Sequence, residues 1–390
     1  MRKSVCIISF SPIARDARVL RQVEYLSQHY DVVVIGYGEP DPLWRNVRWL
    51  PVVRPSSAVD TLSGFALLSL GRVNQGLYER WFWRKGHRMQ ALRLAALSDC
   101  DVYHANDWEA LPVAAEAARH NDAKLVFDAH EHSPSQHEDR AYWRVWYKPA
   151  IEYLIRRYAP KADVSITVAE PIAHRYCVEY KLNPVVILNV PKLSGGNSAT
   201  RHMNPGKIRL VHHGGAIRDR HLELMIETIA LADERFSLHF MLVESDRRYM
   251  QSLRELAERV APGRVSFEVP VKPREVVGRI SEYDMGLYIL QPRNFNQLVA
   301  LPNKFFDFIA AGLAVLVGPS PSMAAVIERY GCGLIVPTFG PSEAASVLNR
   351  LTLNELARMQ RASRRAAGDL NADKEMPKML SLYDQLLKGR

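Results

Sequence analysis

Two series of alternating strand-like and helix-like segments, separated by one break, constrain the fold of this 390-residue chain more than any other feature. In the first half, short apolar segments such as SVCIISF and DVVVIGY are separated by amphipathic stretches such as RDARVLRQVEYLSQ. After the break the alternation returns, with IRLVHHG, FSLHFMLV and AVLVG as candidates for buried strands. Because such alternation is typical of parallel sheets covered by helices, we predict an α/β protein with two parallel sheets.

The break itself, PKLSGGNSATRHMNPGK, is rich in Gly, Ser, Asn and Pro, which is the composition of a linker. We therefore predict a first domain at residues 1–190, a linker at 191–206 and a second domain at 207–370. We expect the remaining residues, 371–390, to form a helix that packs back on the first domain. The length of the chain also favours two domains over one.

The net charge of +9 is spread along the chain but is locally concentrated in two stretches that mix basic and aromatic residues. These are GRVNQGLYERWFWRKGHRMQALR and RAYWRVWYKPAIEYLIRRYAPK. Such mixtures suit an anionic membrane surface, although a solvated helix with an aromatic core face would have the same pattern. No nucleic-acid-binding motif accompanies the charge, so we expect no nucleic acid as a partner.

The apolar runs of the sequence are far shorter than the roughly 20 residues that span a bilayer. The opening MRKSVCIISF is too short in its apolar part to resemble a signal peptide. The four cysteines are scattered, and we expect them to be reduced core residues. We therefore predict a cytoplasmic protein that associates peripherally with the cytoplasmic face of the membrane.

The loop HHGGAIRDRHLE follows a predicted strand and opens a predicted helix. Gly214 and Gly215 allow backbone N–H groups to approach an anion, and Arg218 and Arg220 add cationic donors. This arrangement favours phosphate binding over a tight turn with surface arginines. The loop is not a P-loop, and no GxGxxG follows the first strand, which disfavours an ordinary dinucleotide-binding dehydrogenase.

The segment LPNKFFDFIAAGLAVLVG places the carboxylate of Asp307 inside an apolar run. A helix that begins after Pro302 and stops at Gly312 would carry Phe305, Phe308 and Ile309 on one face. Its other face would carry Asn303, Lys304 and Asp307, and is shaped for a ligand to approach.

In the first half of the chain, polar residues follow the predicted strands in three loops. Arg15 and Asp16 follow the first strand, although Asp16 suits a helix cap equally well. Two later strand ends carry YHANDWEA, with Asn106 and Asp107, and FDAHEH, with His130 and Glu131. The sequence His130-Glu131-His132 leaves a metal site as an alternative, and His130 as a structural core histidine as another.

The order and spacing of these segments resemble the retaining glycosyltransferases of the GT-B fold, in the large family 4 that uses nucleotide-activated sugars. The resemblance rests on RDARVLRQVEYLSQHYDVVVI, DVYHANDWEALPVA, LVFDAHE, ADVSITVAEPIAHRY, VILNVP, HHGGAIRDRHLELMIETIA and LPNKFFDFIAAGLAVLV. It implies two Rossmann-like parallel-sheet domains facing a cleft, with the nucleotide sugar on the C-terminal domain and most of the acceptor on the N-terminal domain.

The resemblance also implies roles for individual residues. Asp307 would accept hydrogen bonds from the ribose hydroxyls, Arg220 would bind the diphosphate, and His130 would contact the transferred sugar. The donor would further contact Gly214, Gly215, Arg218, Pro270, Val271, Asn303 and Lys304. The acceptor side of the cleft would include Arg15, Asp16, Asn106, Asp107 and Glu131.

Some positions depart from the family pattern. Many relatives carry two glutamates eight positions apart, where this chain has Val299 and Asp307. Ala216 stands where many relatives have an arginine, and His221 replaces a common glycine.

The resemblance implies transfer of a sugar from a nucleoside-diphosphate sugar to a lipid-linked acceptor, with retention, in bacterial cell-surface polysaccharide or glycolipid synthesis. No cofactor or metal would be required. The alternatives are a GT-B-fold nucleotide-sugar epimerase or phosphorylase, and a non-catalytic homologue that binds a nucleotide sugar.

Overall fold

The computed structural model describes residues 2–54, 61–193 and 206–388, except for the side chains of Arg15, Thr61 and Leu62. The chain divides into two compact units. Unit 1 comprises Met1–Ile187, Asn294–Asn296 and Met376–Arg390, and unit 2 comprises Leu188–Arg293 and Gln297–Glu375. Most of the predicted linker, residues 194–205, lies outside the described residues.

Unit 1 is built on a seven-stranded sheet in the order β3-β2-β1-β4-β5-β6-β7, and its neighbouring strands are parallel. Its strands are β1 (Ser4–Pro12), β2 (Asp31–Tyr37), β3 (Val47–Pro51), β4 (Val102–Asn106), β5 (Lys124–Ala129), β6 (Val164–Thr167) and β7 (Val185–Val186). Its helices are α1 (Ala17–Leu26), α2 (Thr61–Gly71), α3 (Gly76–Trp83), α4 (Gly86–Ala96), α5 (Asp107–His120), α6 (Lys148–Tyr158) and α7 (Glu170–Tyr180). A short π-helix, Trp143–Tyr147, precedes α6.

The middle strands of this sheet are almost wholly buried, as expected of a parallel sheet covered on both faces. The strand order reverses between β1 and β4, which lie side by side in the sheet. In open parallel sheets, ligands bind beyond the carboxyl ends of the strands at such a switch point. The loops after β1, β4 and β5 are therefore the part of unit 1 in which to look for a site.

Unit 2 contains a six-stranded parallel sheet in the order β10-β9-β8-β11-β12-β13. Its strands are β8 (Ile208–Ala216), β9 (Phe236–Glu244), β10 (Val265–Glu268), β11 (Met285–Tyr288), β12 (Ala314–Val317) and β13 (Gly333–Ile335). The helices that follow are α8 (Glu223–Leu231), α9 (Arg247–Val260), α10 (Val276–Ile280), α11 (Phe295–Leu298), α12 (Asn303–Ala310), α13 (Pro321–Tyr330), α14 (Pro341–Arg350), α15 (Leu353–Asp369) and α16 (Ala372–Leu387). The switch point lies between β8 and β11.

Helix α12 lies against the core of unit 2 as its sequence predicts. Phe305, Phe308 and Ile309 are buried in one apolar cluster of the unit. A Cβ atom on Gly286 of β11 would overlap the ring of Phe308, so glycine at this position allows the helix to pack closely on the sheet. Gly312 follows the helix with a φ of +72°, the left-handed conformation that commonly ends a helix.

The last helix, α16, belongs to unit 1 from Met376 onward. Tyr30 at the end of the α1 segment donates a hydrogen bond to Asp384 of α16 at 2.8 Å. The buried ring of Tyr383 lies 5.7 Å from the ring of Tyr30. These contacts attach the C-terminal helix to the sheet of unit 1.

The prediction of an α/β protein with two parallel sheets is confirmed, but the structure differs from the expectations in several details. Strands β3 and β13 were not predicted, and the candidate strand PVVILNV forms only Val185–Val186. The expectation of four buried cysteines is wrong for Cys177, which is exposed, whereas the other cysteines are buried and free. Across the residues that the structure describes, no helix combines the length and apolar character needed to cross a membrane.

The first basic and aromatic stretch is partly buried. Trp81 and Phe82 are buried, and Arg88 is buried against them with its guanidinium 4.1 Å from the Phe82 ring. Arg88 also forms an ion pair with Glu109 at 2.5 Å. This part of the stretch is core, in agreement with the alternative of an aromatic core face.

Candidate functional site

One cluster of polar side chains lies at the carboxyl end of the sheet in each unit. The anion cluster of unit 2 consists of Gly214, Gly215, Arg220 and Lys304. The histidine network of unit 1 is larger, and its members are His104, Asn106, Asp107, Asp128 and His130.

Gly214 allows two cationic side chains to approach the end of β8. Its φ is +118°, a conformation that residues with a Cβ atom rarely adopt. A Cβ atom there would lie 3.1 Å from Nζ of Lys304 and 3.7 Å from Nη1 of Arg220. Arg220 in turn donates to the carbonyl oxygen of Gly215 at 3.1 Å. The missing side chains of the glycines thus leave room for cations from two different elements.

Lys304 is held in place by a buried histidine. Its Nζ lies 3.1 Å from Nε2 of His212, whose Nδ1 lies 2.8 Å from the carbonyl oxygen of Leu287. A carbonyl can only accept, so Nδ1 of His212 carries the proton and Nε2 accepts from Lys304. The aromatic ring of Tyr288 lies 5.4 Å from Nζ of Lys304. Lys304 is therefore fixed by its neighbours, unlike a flexible surface lysine.

The environment of Lys304 disfavours its positive charge. Burial lowers the pKa of its ammonium group well below the ordinary value, the Arg220 guanidinium lowers it further, and Asp307 opposes the shift. Burial likewise lowers the pKa of His212 well below its ordinary value, so this imidazole is neutral. Lys304 is buried and Arg220 is half-buried, and these adjacent cations are stabilised when an anion binds between them. The anion cluster thus has the chemistry of a phosphate site.

Asp307 lies on α12 one turn after Lys304. Its Oδ2 is 3.4 Å from Nε2 of His213, and the Asp307 side chain is 15% exposed. Burial, followed by the Lys304 charge, lowers the pKa of His213 to about 3, so His213 is neutral. Asp307 thus lies beside a neutral imidazole and is partly exposed, so its carboxylate oxygens can accept hydrogen bonds from hydroxyl groups.

The other residues predicted to bind the donor have different surroundings. Arg218 forms an ion pair with Asp246 at 2.8 Å and has its guanidinium 5.1 Å from the Tyr249 ring, so its partners lie outside the anion cluster. Asn303 accepts a hydrogen bond from Asn189 at 2.6 Å. Beyond the end of β10, Pro270 is exposed and Val271 packs against the core. Val299, at the place of the missing glutamate, is buried.

His130 of unit 1 sits between polar groups from the ends of β4 and β5. Its Nε2 lies 2.9 Å from Oδ1 of Asn106, and its Nδ1 lies 3.3 Å from Oδ2 of Asp107. Asp107 also accepts from the backbone N–H of His130 at 3.1 Å, and its own φ is +63°. Such a conformation is unfavourable for a non-glycine residue and is more common at functional sites.

Electrostatics keep His130 protonated. Burial by itself would lower the pKa of the His130 imidazole, but the carboxylates of Asp107 and Asp128 outweigh burial and raise it to about 9. Near neutral pH, His130 is therefore an imidazolium with its charge balanced by two carboxylates. A charged donor of this kind forms stronger hydrogen bonds than a neutral imidazole.

Asp128 is the centre of the histidine network. Its buried carboxylate accepts two hydrogen bonds from Arg18, at 2.7 and 2.8 Å, and a third from Gln22. Burial would raise its pKa, but the Arg18 guanidinium and the histidines hold it well below its ordinary value. Nε2 of His130 and Nε2 of His104 lie 3.6 and 3.5 Å from its Oδ2. A permanently charged, wholly buried carboxylate thus connects α1, β4 and β5.

The remaining predicted residues of unit 1 have local roles as well. Asp16 caps α1 by accepting from the backbone N–H groups of Arg18 and Val19. The side chain of Arg15 lies outside what the structure describes. Glu131 is exposed. Nδ2 of Asn296 lies 3.5 Å from its carboxylate.

The sequence leaves a metal site at His130-Glu131-His132 as an alternative. In the described parts of the chain, no group of three or more His, Cys, Asp or Glu side chains is placed to hold a metal ion. His132, the second histidine of the sequence His130-Glu131-His132, is buried and contacts Ser135 and Glu179 instead.

Several residues of these clusters were not predicted as site residues. Asp128 could have been found from its place near the end of the predicted strand, two residues before His130. His213 directly precedes the glycine loop. Arg18 and Tyr383 had no such signal, because they reach the network from α1 and α16, which are distant in sequence.

Comparison with known proteins gives a family-model match within the first unit and a fold for the whole chain. Residues 17–190 match the family model described as Glycosyltransferase Family 4. No curated protein matches the chain in sequence.

Solved structures match over nearly the whole chain. HepE from Anabaena, in complex with UDP and glucose, is 12% identical over 98% of this chain and 100% of that chain, with a TM-score of 0.70. Sucrose-phosphate synthase from Thermosynechococcus elongatus is 14% identical over 100% of both chains, with a TM-score of 0.73. WaaG, a glycosyltransferase involved in lipopolysaccharide biosynthesis, is 14% identical over 98% of this chain and 100% of that chain, with a TM-score of 0.64.

The structural matches establish the fold, and the family model accounts for the first unit. Residues 17–190 match the Glycosyltransferase Family 4 model, and the whole chain shares the fold of these solved structures.

Proposed function

We propose that the chain transfers a sugar from a nucleoside-diphosphate sugar to an acceptor, and that the anion cluster holds the diphosphate of the donor. The observation that carries the proposal is the placement of Lys304 and Arg220 beside Gly214, where two cations face space that a Cβ atom would fill. HepE has been solved with UDP-glucose, and a further similar structure has been solved with UDP-2-fluoro glucose. These structures support a nucleoside-diphosphate sugar as the class of donor.

Each residue then has a proposed task in the reaction. Arg220, Lys304 and backbone N–H groups of the glycine loop would stabilise the charge that develops on the departing diphosphate. Asp307 would accept hydrogen bonds from the ribose hydroxyls. His130, as an imidazolium, would donate a hydrogen bond to a hydroxyl group of the transferred sugar. The donor-side residues Arg218, Pro270, Val271 and Asn303 remain proposed contacts.

The positive charge in this site comes from side chains and backbone amides of the protein. We therefore propose that donor binding and transfer proceed without a divalent cation. This differs from enzymes in which a metal ion neutralises the diphosphate.

We further propose that the anomeric configuration is retained. The acceptor hydroxyl would attack on the face from which the diphosphate departs, and the departing diphosphate would take the acceptor proton. The new glycosidic bond forms as the bond to the diphosphate oxygen breaks, so charge and protons balance without an external base. The proposal rests on resemblance to retaining relatives, and the anomeric configuration of the product, measured by NMR, tests it directly.

The acceptor is proposed to be lipid-linked, as in cell-surface polysaccharide or glycolipid synthesis, and the protein to bind an anionic bilayer. The support is a set of exposed apolar side chains of unit 1, here called the apolar patch, which belong to α2, the π-helix and their flanks. Its members, with their exposed fractions, are Phe65 (36%), Leu70 (56%), Val73 (92%), Tyr142 (47%) and Val145 (37%). The exposed arginines that flank this apolar patch are Arg72, Arg80, Arg84, Arg140 and Arg144.

The geometry of the apolar patch suits a membrane interface. The ring of Phe65 lies 6.5 Å from Trp146 and 6.4 Å from Tyr147, so α2 and the π-helix form one surface. Aromatic and aliphatic side chains bordered by arginines insert at the boundary between headgroups and acyl chains. The GT-B-fold glycosyltransferase would thus meet its acceptor at the cytoplasmic face of the membrane.

The first experiment is a thermal-shift panel of nucleoside diphosphates and their sugars, with magnesium and with a chelator. A ligand at a hundred times its Kd should stabilise the protein by about 2.7 kcal/mol, which raises the Tm measurably. We expect selective stabilisation by one nucleoside diphosphate, independent of magnesium, and its loss in Asp307→Ala. Stabilisation that requires magnesium would contradict the metal-free donor site, and no response to any nucleotide would contradict the proposed donor class.

A second assay separates transfer from the alternatives. With the donor identified by the panel, conversion of the nucleotide sugar in the absence of acceptor would indicate an epimerase. Donor binding without turnover in the presence of membrane extracts would indicate a non-catalytic homologue.

A further inference from the structure

The C-terminal helix brings a tyrosine into the histidine network. Tyr383 of α16 is fully buried, and its hydroxyl forms a hydrogen bond with Nδ1 of His104. The two rings stack at a centroid distance of 6.1 Å with an angle of 23° between their planes. His104 is itself fully buried at the centre of β4. The contact therefore joins α16 to the interior of unit 1, and water has no access to either group.

The direction of this hydrogen bond follows from the neighbours of His104. Burial lowers the pKa of the His104 imidazole, so the ring is neutral and has one N–H group. Its Nε2 faces the carboxylate of Asp128 at 3.5 Å, and a carboxylate can only accept. The proton of His104 is therefore on Nε2, and Nδ1 accepts a hydrogen bond from the Tyr383 hydroxyl. Tyr383 selects the tautomer that presents an N–H group to Asp128.

Asp128 lies between His104 and His130 and contacts both rings. The same Oδ2 atom that faces His104 lies 3.6 Å from Nε2 of His130. The carboxylate is also held by Arg18 and Gln22 of α1, so its position depends on all of its donors. A change at the N–H group of His104 therefore changes the position of the Asp128 carboxylate and the charge around it. Asp128 in turn contacts His130.

Charged and titratable groups surround His130 from each element packed against it. They are Arg18 and Asp16 from the α1 segment, His104 from β4, Asp107 from α5, Asp128 from β5, Glu131 from the loop after β5 and Tyr383 from α16. Of these groups, Asp107 and Asp128 contact the His130 ring directly. Tyr383 acts on His130 indirectly. Its hydroxyl contacts His104, His104 faces Asp128, and Asp128 contacts His130.

We propose that Tyr383 is a positioning residue that acts through His104 and Asp128 to fix the orientation and the protonation of His130. Helix α16 then contributes to the site of unit 1 in addition to completing its scaffold. The importance of this relay, the series of contacts Tyr383–His104–Asp128–His130, for catalysis rests on the proposed role of His130 in sugar transfer. The relay itself is present in the protein without substrate.

The test uses Tyr383→Phe in the full-length chain, with Tyr30→Phe as a matched control. Tyr30 donates to Asp384 at 2.8 Å, so it joins the same helix to the same unit through a tyrosine hydroxyl. Each substitution removes one tyrosine hydroxyl group and one hydrogen bond that attaches α16 to the rest of unit 1. Only Tyr383→Phe removes the donor to His104.

The readout is the pKa of His130, measured by NMR titration of the ring carbon and proton signals in histidine-labelled protein. A His130→Gln variant assigns the signal. In Tyr383→Phe, Nδ1 of His104 has lost its donor and gains a proton more readily, and the resulting charge beside Asp128 competes with that of His130. We expect the His130 pKa to fall by about half a unit or more in Tyr383→Phe and to stay unchanged in Tyr30→Phe.

An unchanged His130 pKa in Tyr383→Phe would overturn the proposal, and so would an equal fall in both variants, which would indicate general loosening of α16. Thermal unfolding of both variants shows whether they are folded at the temperature of the titration. If Tyr383→Phe does not fold, the same measurement is made on His104→Gln and His104→Leu.

The glutamine of His104→Gln can donate an N–H group toward Asp128, whereas leucine cannot. The relay predicts a His130 pKa close to that of the wild type in His104→Gln and a displaced one in His104→Leu. Equal values in these two variants would overturn the proposal. Since the titration needs no substrate, its result stands independently of whether the sugar-transfer proposal succeeds or fails.

Discussion

At Gly214, both the backbone conformation and the close approach of Lys304 require a residue without a side chain. An alanine there would have an unfavourable φ of +118° and a Cβ atom 3.1 Å from Nζ of Lys304. The strain costs of the order of 1–3 kcal/mol, and the Cβ atom displaces the ammonium group. We expect Gly214→Ala to weaken nucleoside-diphosphate binding by about tenfold or more in a calorimetric titration.

Gly215→Ala is the control for this prediction. Its Cβ atom would lie 3.5 Å from the nearest atom of Ile217, an ordinary van der Waals distance, and its φ is not in the left-handed region. We expect Gly215→Ala to weaken binding less than Gly214→Ala. Equal losses in both variants would indicate that the glycines do not act through Lys304.

The protonation of His130 predicts a pH dependence of stability. Its pKa is raised from 6.5 to about 9 in the folded protein, so its stabilising contribution is fully present below pH 6.5 and is lost as the pH rises through 9. The upper limit of this contribution is about 3 kcal/mol. We expect His130→Gln to lower the free energy of unfolding at about pH 6 and to have a smaller effect at about pH 10, as measured by urea denaturation.

A matched substitution at His29, which is exposed at the end of the α1 segment, should change the free energy of unfolding little at either pH. A constant difference between wild type and His130→Gln across the pH range would contradict the assignment of an imidazolium at this position.

At the scale of secondary-structure elements, α2 and the π-helix form the apolar patch and predict membrane binding. Full burial of an aliphatic side chain is worth about 1.5–3 kcal/mol. We therefore expect Leu70→Ser combined with Val73→Ser to reduce binding to phosphatidylglycerol vesicles by about tenfold or more in a flotation assay.

The control is Leu97→Ser, which removes an aliphatic side chain that is 79% exposed elsewhere in unit 1. Binding of this variant should match that of the wild type. Failure of the wild-type protein to bind anionic vesicles, or an equal loss in the control, would contradict the proposed membrane surface.

The elements also show which features of the fold a sequence can reveal. Helix α12 could be placed from its sequence, because Pro302 and Gly312 mark its ends and its phenylalanines share one face. Strand β3 was not recognised, because it is a short edge strand whose residues are exposed or only partly buried and which ends at Pro51. Strand β13 has three residues, too few for any periodicity to be recognised.

The membrane prediction from the sequence had a similar limit. Composition located a basic and aromatic stretch, but only packing shows that Trp81, Phe82 and Arg88 point into unit 1. Burial of a cation is decided by its partner, here Glu109, which lies on another helix. The proposed membrane surface comes from α2, from exposed residues of this stretch, and from the π-helix, which lies in the second basic and aromatic stretch.

At the scale of the whole molecule, the two sheets each have a switch point, and each switch point carries one polar cluster. The glycine loop and the Asp307 helix could be found from sequence because each is a continuous segment. The histidine network could be found only in part, because Arg18 and Tyr383 come from opposite ends of the chain. Residue pairs of such large sequence separation leave no local pattern.

The central claim is that the anion cluster of unit 2 binds the diphosphate of the donor through Lys304 and Arg220. The most direct measurement is calorimetric titration of the full chain with the nucleoside diphosphate selected by the thermal-shift panel and, separately, with the corresponding nucleoside. Wild type is compared with Lys304→Gln, in which an amide can still donate to His212 but the charge is absent. Lys207→Gln, at an exposed position of the same unit, controls for net charge.

Loss of one charge-assisted hydrogen bond costs about 1.5–3 kcal/mol. The account predicts diphosphate affinity about 10- to 100-fold weaker in Lys304→Gln, with unchanged nucleoside affinity and with Lys207→Gln equal to wild type. Diphosphate affinity in Lys304→Gln equal to that of the wild type would contradict it.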